Sequence, residues 1–197
     1  LNSEFQNENG NVVSKYSYNN NGYGYSLFYG FNNAIVFSNT TINNGFFNNC
    51  ILNAEIGVSG EDLTKINNGY FKKCEFNNIF IINNGNFVDS RINSIDTIWN
   101  YGIFDSSSGF TDFKPQIWYD GIWYKGSTPL NLKWLNGSFY GDNFSDSCEW
   151  ENGEFNGNEF NGIVWKNGSF NKGVYKSVFW NNGIFNSGTF SSTSTWK

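Results

Sequence analysis

The chain contains no histidine. That removes Ser-His-Asp and Cys-His nucleophilic arrangements, and every metal site that depends on imidazole. Charge is sparse too: Asp, Glu, Lys and Arg are 15% of the 197 residues, and they sum to −5. Sequence-independent binding to nucleic acid or to anionic lipid needs basic patches, so neither is expected. No run of eighteen apolar residues occurs, so no membrane insertion is expected. There is no signal-peptide pattern at the first residues. Proline occurs only twice, which leaves turns to glycine and asparagine. The cysteines, Cys50, Cys74 and Cys148, are three; an odd count at these spacings points to buried fillers rather than a disulfide framework.

What the chain has in abundance is aromatic side chains, at 20%, together with 36 asparagines and 22 glycines. A chain this rich in aromatics has the apolar surface to fold. The residues recur at fixed intervals. Trp150, Trp165 and Trp180 lie fifteen apart; so do Phe155, Phe170 and Phe185, and so do Phe160, Tyr175 and Phe190. A large aromatic therefore falls every fifth position. The residue two places earlier is usually small: Cys148, Gly153, Gly168, Gly173, Gly183, Gly188. A fixed internal period of this kind marks a solenoid.

Taken in order, residues 1–33 do not keep the beat. Tyr16 and Tyr18 before NNNG, and Tyr23 and Tyr25 after it, read as a hairpin that serves as an N-terminal cap or a linker. Residues 34–133 read as irregular solenoid. The beat runs Phe37, Ile42, Phe47, Leu52, breaks at a projecting loop over 53–65, and resumes at Ile66, Phe71 and Phe76, then Phe87 and Phe104. It slips between 105 and 133, and such slips map to loops on one face of a solenoid. Residues 134–197 are regular. The chain starts at Leu1 and stops at Trp196–Lys197 within a repeat, so a longer chain or a neighbouring cap is expected, since a last coil needs covering.

A period of five fits neither a helix nor a simple strand. It fits short extended segments with a turn at each corner. The large residue i points inward, and i−2 points the same way because strand side chains alternate. A narrow interior then requires a small residue at i−2. The Trp-Phe-Phe triplet gives the expected fold: all-β, a single-chain parallel β-helix of about fifteen residues per coil with three short sides. Like-on-like ladders form its core, and each buried ring contributes roughly 1.5–3 kcal/mol. Asn152, Asn167 and Asn182 are placed for an amide ladder, and Glu151 and Lys166 for an ion pair between rungs. A string of antiparallel hairpins about each Asn-Gly is the alternative; it leaves the small residue at i−2 unexplained.

The units GSFNK, GVYKS, GIFNS and GTFSS resemble pentapeptide-repeat proteins, which implies a right-handed parallel β-helix. The chain departs from that family in using Trp and Phe where Leu is usual, and in its fifteen-residue coil. The fuller pattern W-x-N-G-x-F-x-x-G-x-F is similar to repeats in structural proteins of tailed bacteriophages, such as tail-fibre and appendage proteins. It is regular over 134–196 and looser over 34–133. The resemblance implies a non-enzymatic virion component: a rigid rod in an extracellular particle, without cofactor. Its partners would be other virion proteins, further copies of the chain (a homotrimer included) or a host-surface glycan. A bacterial surface adhesin or carbohydrate-binding module on the same scaffold is the second expectation. A DNA mimic is disfavoured by the modest charge.

The acids Asp142, Asp146, Glu149, Glu151, Glu154 and Glu159 form the densest carboxylate cluster. Glycoside hydrolysis needs two of them facing each other. Glu149, Glu154 and Glu159 precede successive pentad aromatics and so belong on three different sides. No catalytic or metal site is therefore expected. Trp118, Tyr119, Trp123 and Tyr124, beside Asp120 and Lys125, are the candidate surface contacts, with aromatic faces that suit a sugar ring.

Overall fold

The computed structural model describes residues 2–6, 12–17, 30–32, 35–38, 42, 44–54, 64–77, 80–93, 97–105, 117–177, 179–191 and 195–196. Among the described residues every regular element is a short β-strand. The described strands from Gly30 onward pair with one another in parallel, one coil to the next, so the chain is a parallel β-solenoid with three sides.

The first side runs from Thr64–Ile66 to Thr195–Trp196, and its register aligns Trp99, Trp118, Trp134, Trp150, Trp165, Trp180 and Trp196. The second runs from Gly30–Asn32 to Ile184–Phe185 and aligns phenylalanines, with Trp123 in their midst. The third is split. Ile35–Ser38, Ile51–Ala54, Glu75–Asn77 and Arg91–Asn93 form one stretch, and Asn143–Phe144, Glu159–Phe160, Val174–Tyr175 and Thr189–Phe190 the other. The antiparallel-hairpin alternative is excluded for the repeats by this pairing.

The core is the stack of rings that the five-residue beat announces. Trp134 lies on Trp150 with centroids 5.2 Å apart and planes 5° from parallel, and Trp150 on Trp165 at 4.9 Å and 9°. Phe155 stacks on Phe170 at 4.9 Å, and Phe160 on Tyr175 at 5.3 Å. Around one coil the rings meet edge to face, as Phe155 and Phe160 do at 90°. Offset stacks along the rod and edge-to-face contacts around it are the two arrangements that the ring quadrupole favours. Trp150, Phe155, Phe160, Trp165, Phe170 and Tyr175 are wholly buried, Trp180 is 2% exposed, and Phe185 and Phe190 pack half-buried against the same core.

The small residue at i−2 has two physical causes. At Gly45, Gly69 and Gly85 a Cβ would come within 2.7–2.9 Å of the ring two residues on, which is the crowding the pattern implies. From Gly102 onward a Cβ would instead meet the carbonyl of the glycine one coil earlier, and φ sits between 104° and 125°. Only glycine adopts that backbone without strain. Those same carbonyls accept hydrogen bonds, from Ser169 to Gly153 at 2.9 Å and from Ile184 to Gly168 at 2.8 Å.

Among the described residues coil length varies at one place only. Five residues separate the first side from the second in every described coil, as in Ile66 to Phe71 and Trp118 to Trp123, and five separate second from third where both carry strands. All surplus residues fall on the third side or on the corner leading back to the first. Two boundaries shift as a result. The expected loop over 53–65 narrows, because Ile51–Ala54 and Thr64–Ile66 are strands; residues 55–63 lie outside the described part. Of the expected slip over 105–133, residues 106–116 lie outside the described part; over 124–132 Thr128 is buried opposite Phe144 on the third side in place of a ring, and Leu132 is buried two places before Trp134. The early beat also starts on a different residue: Val36, not Phe37, is the register partner of Leu52.

At the N-terminal end, Asn2–Gln6 pairs antiparallel with Val12–Ser17 and with Ile35–Ser38. The hairpin expected about NNNG falls on residues outside the described part. Tyr18, Tyr23 and Tyr25 lie outside the described residues, while Tyr16 pairs with Ser3.

Candidate interaction surface

The acids stand apart, as their pentad positions require. Glu149, Glu154 and Glu159 are on strands of the first, second and third sides respectively. Asp142, Asp146 and Glu154 are exposed, and Glu149, Glu151 and Glu159 half-buried. Several meet cations rather than one another. Glu151 bridges Lys166 at 2.6 Å and Lys133 at 3.6 Å, Glu159 meets Lys176 at 2.8 Å, and Asp105 meets Lys125 at 2.8 Å. The Lys166 hydrogen bond holds the Glu151 carboxyl below its ordinary pKa, and Glu151 in turn raises Lys166. The Asp105 hydrogen bond likewise raises Lys125. Glu151, and Glu159 beside Lys176, are thereby held ionised, the opposite of what a general acid needs. Among the described residues no three His, Cys, Asp or Glu side chains are grouped so as to hold a metal ion.

Buried polar groups brace corners. The Tyr175 hydroxyl donates to the Phe179 carbonyl at 2.6 Å, and burial pushes its pKa up to about 12. Cys148 donates to the Pro129 carbonyl at 3.0 Å, and burial pushes its thiol up. Both are core positions without access for a substrate.

The surface is organised in columns, one residue per coil. Asn67, Asn83 and Asn100 link amide to amide at 2.7 Å each. A second column links Asp120, Asn136, Asn152 and Asn167 at 3.2–3.3 Å and ends there, short of the expected Asn182. A third joins Asn156, Asn171 and Asn186. Between these polar stretches the same columns carry aromatic and apolar residues. Tyr119 follows Asn100 in the first, Tyr101 precedes Asp120 in the second, and Tyr124 and Tyr140 precede Asn156 in the third. Tyr101, Tyr119, Tyr124 and Tyr140 are 52%, 44%, 45% and 40% exposed. Ile98 on the first side is exposed beside them, and Ile122 on the second is half-buried. The middle of the rod therefore wears an apolar, tyrosine-rich belt across two sides, where amide ladders run on either side of it.

This corrects half of the expected contact set. Trp118 and Trp123 are fully buried ladder rungs: Trp118 stacks on Trp99 at 4.6 Å and on Trp134 at 5.0 Å, and Trp123 sits between Phe104 and Phe139. Neither offers a face to a sugar. Tyr119 and Tyr124 are on the surface, but Tyr124 turns a face to Tyr140, at 5.2 Å and 18°. Sequence reasoning missed Tyr101 and Tyr140; each follows an inward rung by one or two places, which is a legible outward position.

No family model, no curated protein and no solved structure matches the chain.

Proposed function

We propose that the chain is a non-enzymatic structural component of a bacteriophage virion, a rod of a tail fibre, appendage or decoration that holds contact surfaces at fixed positions. One observation carries the reading. Like rings stack on like rings through successive coils, while every change in coil length is confined to one side of the rod. Such a core resists bending and local opening, and it leaves insertions on one side to vary. The segments over 55–63 and 106–116 join the rod three rungs apart, about 14 Å along its axis at the usual strand spacing. The partners are other virion proteins, further copies of the chain, or a host surface.

Immunogold electron microscopy tests this, with antibody to the segment applied to phage particles and to uninfected cells from the same source. Gold on tails or capsid appendages supports the proposal; gold on cell surfaces without phage overturns it.

The tyrosine belt favours a second reading, a surface adhesin or carbohydrate-binding module. A glycan-array signal lost in Tyr101→Ala or Tyr119→Ala supports that role. No signal from the intact protein contradicts it.

A further inference from the structure

Cys50 and Cys74 are separated by twenty-four residues in sequence, yet they are neighbours on successive coils. Register sets Ile51 against Glu75 and Leu52 against Phe76, and the Glu75 N–H donates to the Cys50 carbonyl at 2.8 Å. The two cysteines therefore occupy the same i−2 position on the third side, one above the other, with both side chains buried. In-register parallel neighbours place their Cα atoms about 4.8 Å apart, inside the 4.4–6.8 Å range of disulfides. The thiols share one corner: Cys50 Sγ donates to the Asn48 carbonyl at 3.3 Å, and Cys74 Sγ lies 3.4 Å both from the equivalent Lys72 carbonyl and from the Phe47 carbonyl one coil back, next to the peptide group that Cys50 contacts. Corner geometry fixes both: Asn49 and Lys73, immediately before them, each hold φ at 53°. The remaining cysteine, Cys148, lies on a distant coil against Thr128.

We propose that Cys50 and Cys74 are a cross-linking site, joined by a disulfide when the protein folds under oxidising conditions, and that the bond staples the two coils flanking the insertion over 55–63. The oxidant is a small-molecule disulfide such as oxidised glutathione. The Cys50 and Cys74 thiols give up two protons and two electrons, one S–S bond forms between them, and the glutathione S–S bond breaks to yield two glutathione thiols. The exchange belongs to folding rather than to the finished rod, where both sulfurs are covered. The Cys50 thiol at its side, and then burial, hold the Cys74 thiol well above the ordinary thiol range, so the reactive thiolate is suppressed once the coil has closed.

The test is refolding of the full chain across a series of oxidised-to-reduced glutathione ratios, alkylation under denaturing conditions, and peptide mapping by mass spectrometry. The expected result is a Cys50–Cys74 cross-linked peptide with Cys148 alkylated, and a higher Tm than that of the reduced protein. Three alkylated cysteines at the most oxidising ratio overturn the proposal, and so does a cross-link that includes Cys148, or glutathione retained on Cys50 or Cys74 in place of the link. Cys74→Ser is the control that folds, because Ser90 fills the same position one coil on and donates to the Val88 carbonyl at 3.0 Å. In that variant the cross-link must vanish while circular dichroism stays unchanged; a link that persists refutes the assignment.

Discussion

A Cβ on Gly153 would have to occupy the place of the Gly137 carbonyl oxygen, one coil earlier, which accepts the Glu154 N–H at 2.8 Å. Gly153 also holds φ at 121°, outside the range of L side chains. Gly153→Ala is therefore expected to destabilise by about 1–3 kcal/mol from backbone strain alone. The displaced carbonyl adds to that loss. Asn152→Ala, next to it and exposed, is expected to stay within about 0.5 kcal/mol. Urea unfolding of the pair measures the contrast; equal midpoints would show that the glycine column is ornamental.

Trp123 and Tyr124 are adjacent, and their roles are opposite. Trp123→Ala empties a rung between Phe104 and Phe139 and is expected to cost about 3–5 kcal/mol. Tyr124→Ala removes an exposed ring and its stack on Tyr140, and is expected to cost about 1 kcal/mol or less. Thermal unfolding separates the two. A mild Trp123→Ala would return that residue to the surface.

The tryptophan column contains an inequality. Trp150 donates its indole N–H to the Asn167 carbonyl at 3.0 Å, whereas the buried indole nitrogen of Trp134 meets no acceptor. Phenylalanine in place of tryptophan sheds a satisfied donor at 150 and an unsatisfied one at 134. Trp134→Phe is thus expected to cost less than Trp150→Phe by about 1 kcal/mol. Denaturant midpoints of the two variants, read against wild type, give the difference and its sign.

The Glu151–Lys166 pair has a pH signature. The folded carboxyl sits below its unfolded pKa, so its contribution is complete above about pH 4.3 and is lost as pH falls through the lower, folded value. Both partners are partly exposed, which limits the pair to about 1 kcal/mol or less. Glu151→Gln should lower Tm at pH 7 and low salt, and this difference should close at acid pH or in 1 M salt. A gap that widens in acid would contradict the assignment.

The C-terminal half was legible because each side repeats one ring type every fifteen residues, so Trp150, Phe155 and Phe160 announce their partners Trp165, Phe170 and Tyr175 directly. The middle was not, for a specific reason. In the coil after Trp118, Thr128 takes the third-side place of a ring, which breaks the beat although the other two sides keep it. Gly121, two before Trp123, was the surviving clue to a buried tryptophan.

The stacking of Cys50 on Cys74 was hidden differently. The insertion over 55–63 stretches a one-coil step to twenty-four residues, and spacing alone then suggests separation. The step from the third side back to the first varies, six residues from Phe76 and seven from Ile92, so the beat was lost at Ile82, Ile92 and Trp99. Buried Ser90 and Thr97 two places before the last two are the small residues that mark them. Sequence period reports what is constant around the coil, and it loses track where one side alone changes length.

The most direct test of the parallel, three-sided coil is a heteronuclear NOESY spectrum of labelled protein. The fold predicts backbone Hα–HN contacts between coils along the second side, from Phe139 to the 155 strand, Phe155 to the 170 strand and Phe170 to the 185 strand. Close Hα–Hα contacts of antiparallel pairs joining the Trp150 and Phe155 segments about their own Asn-Gly turn would contradict it.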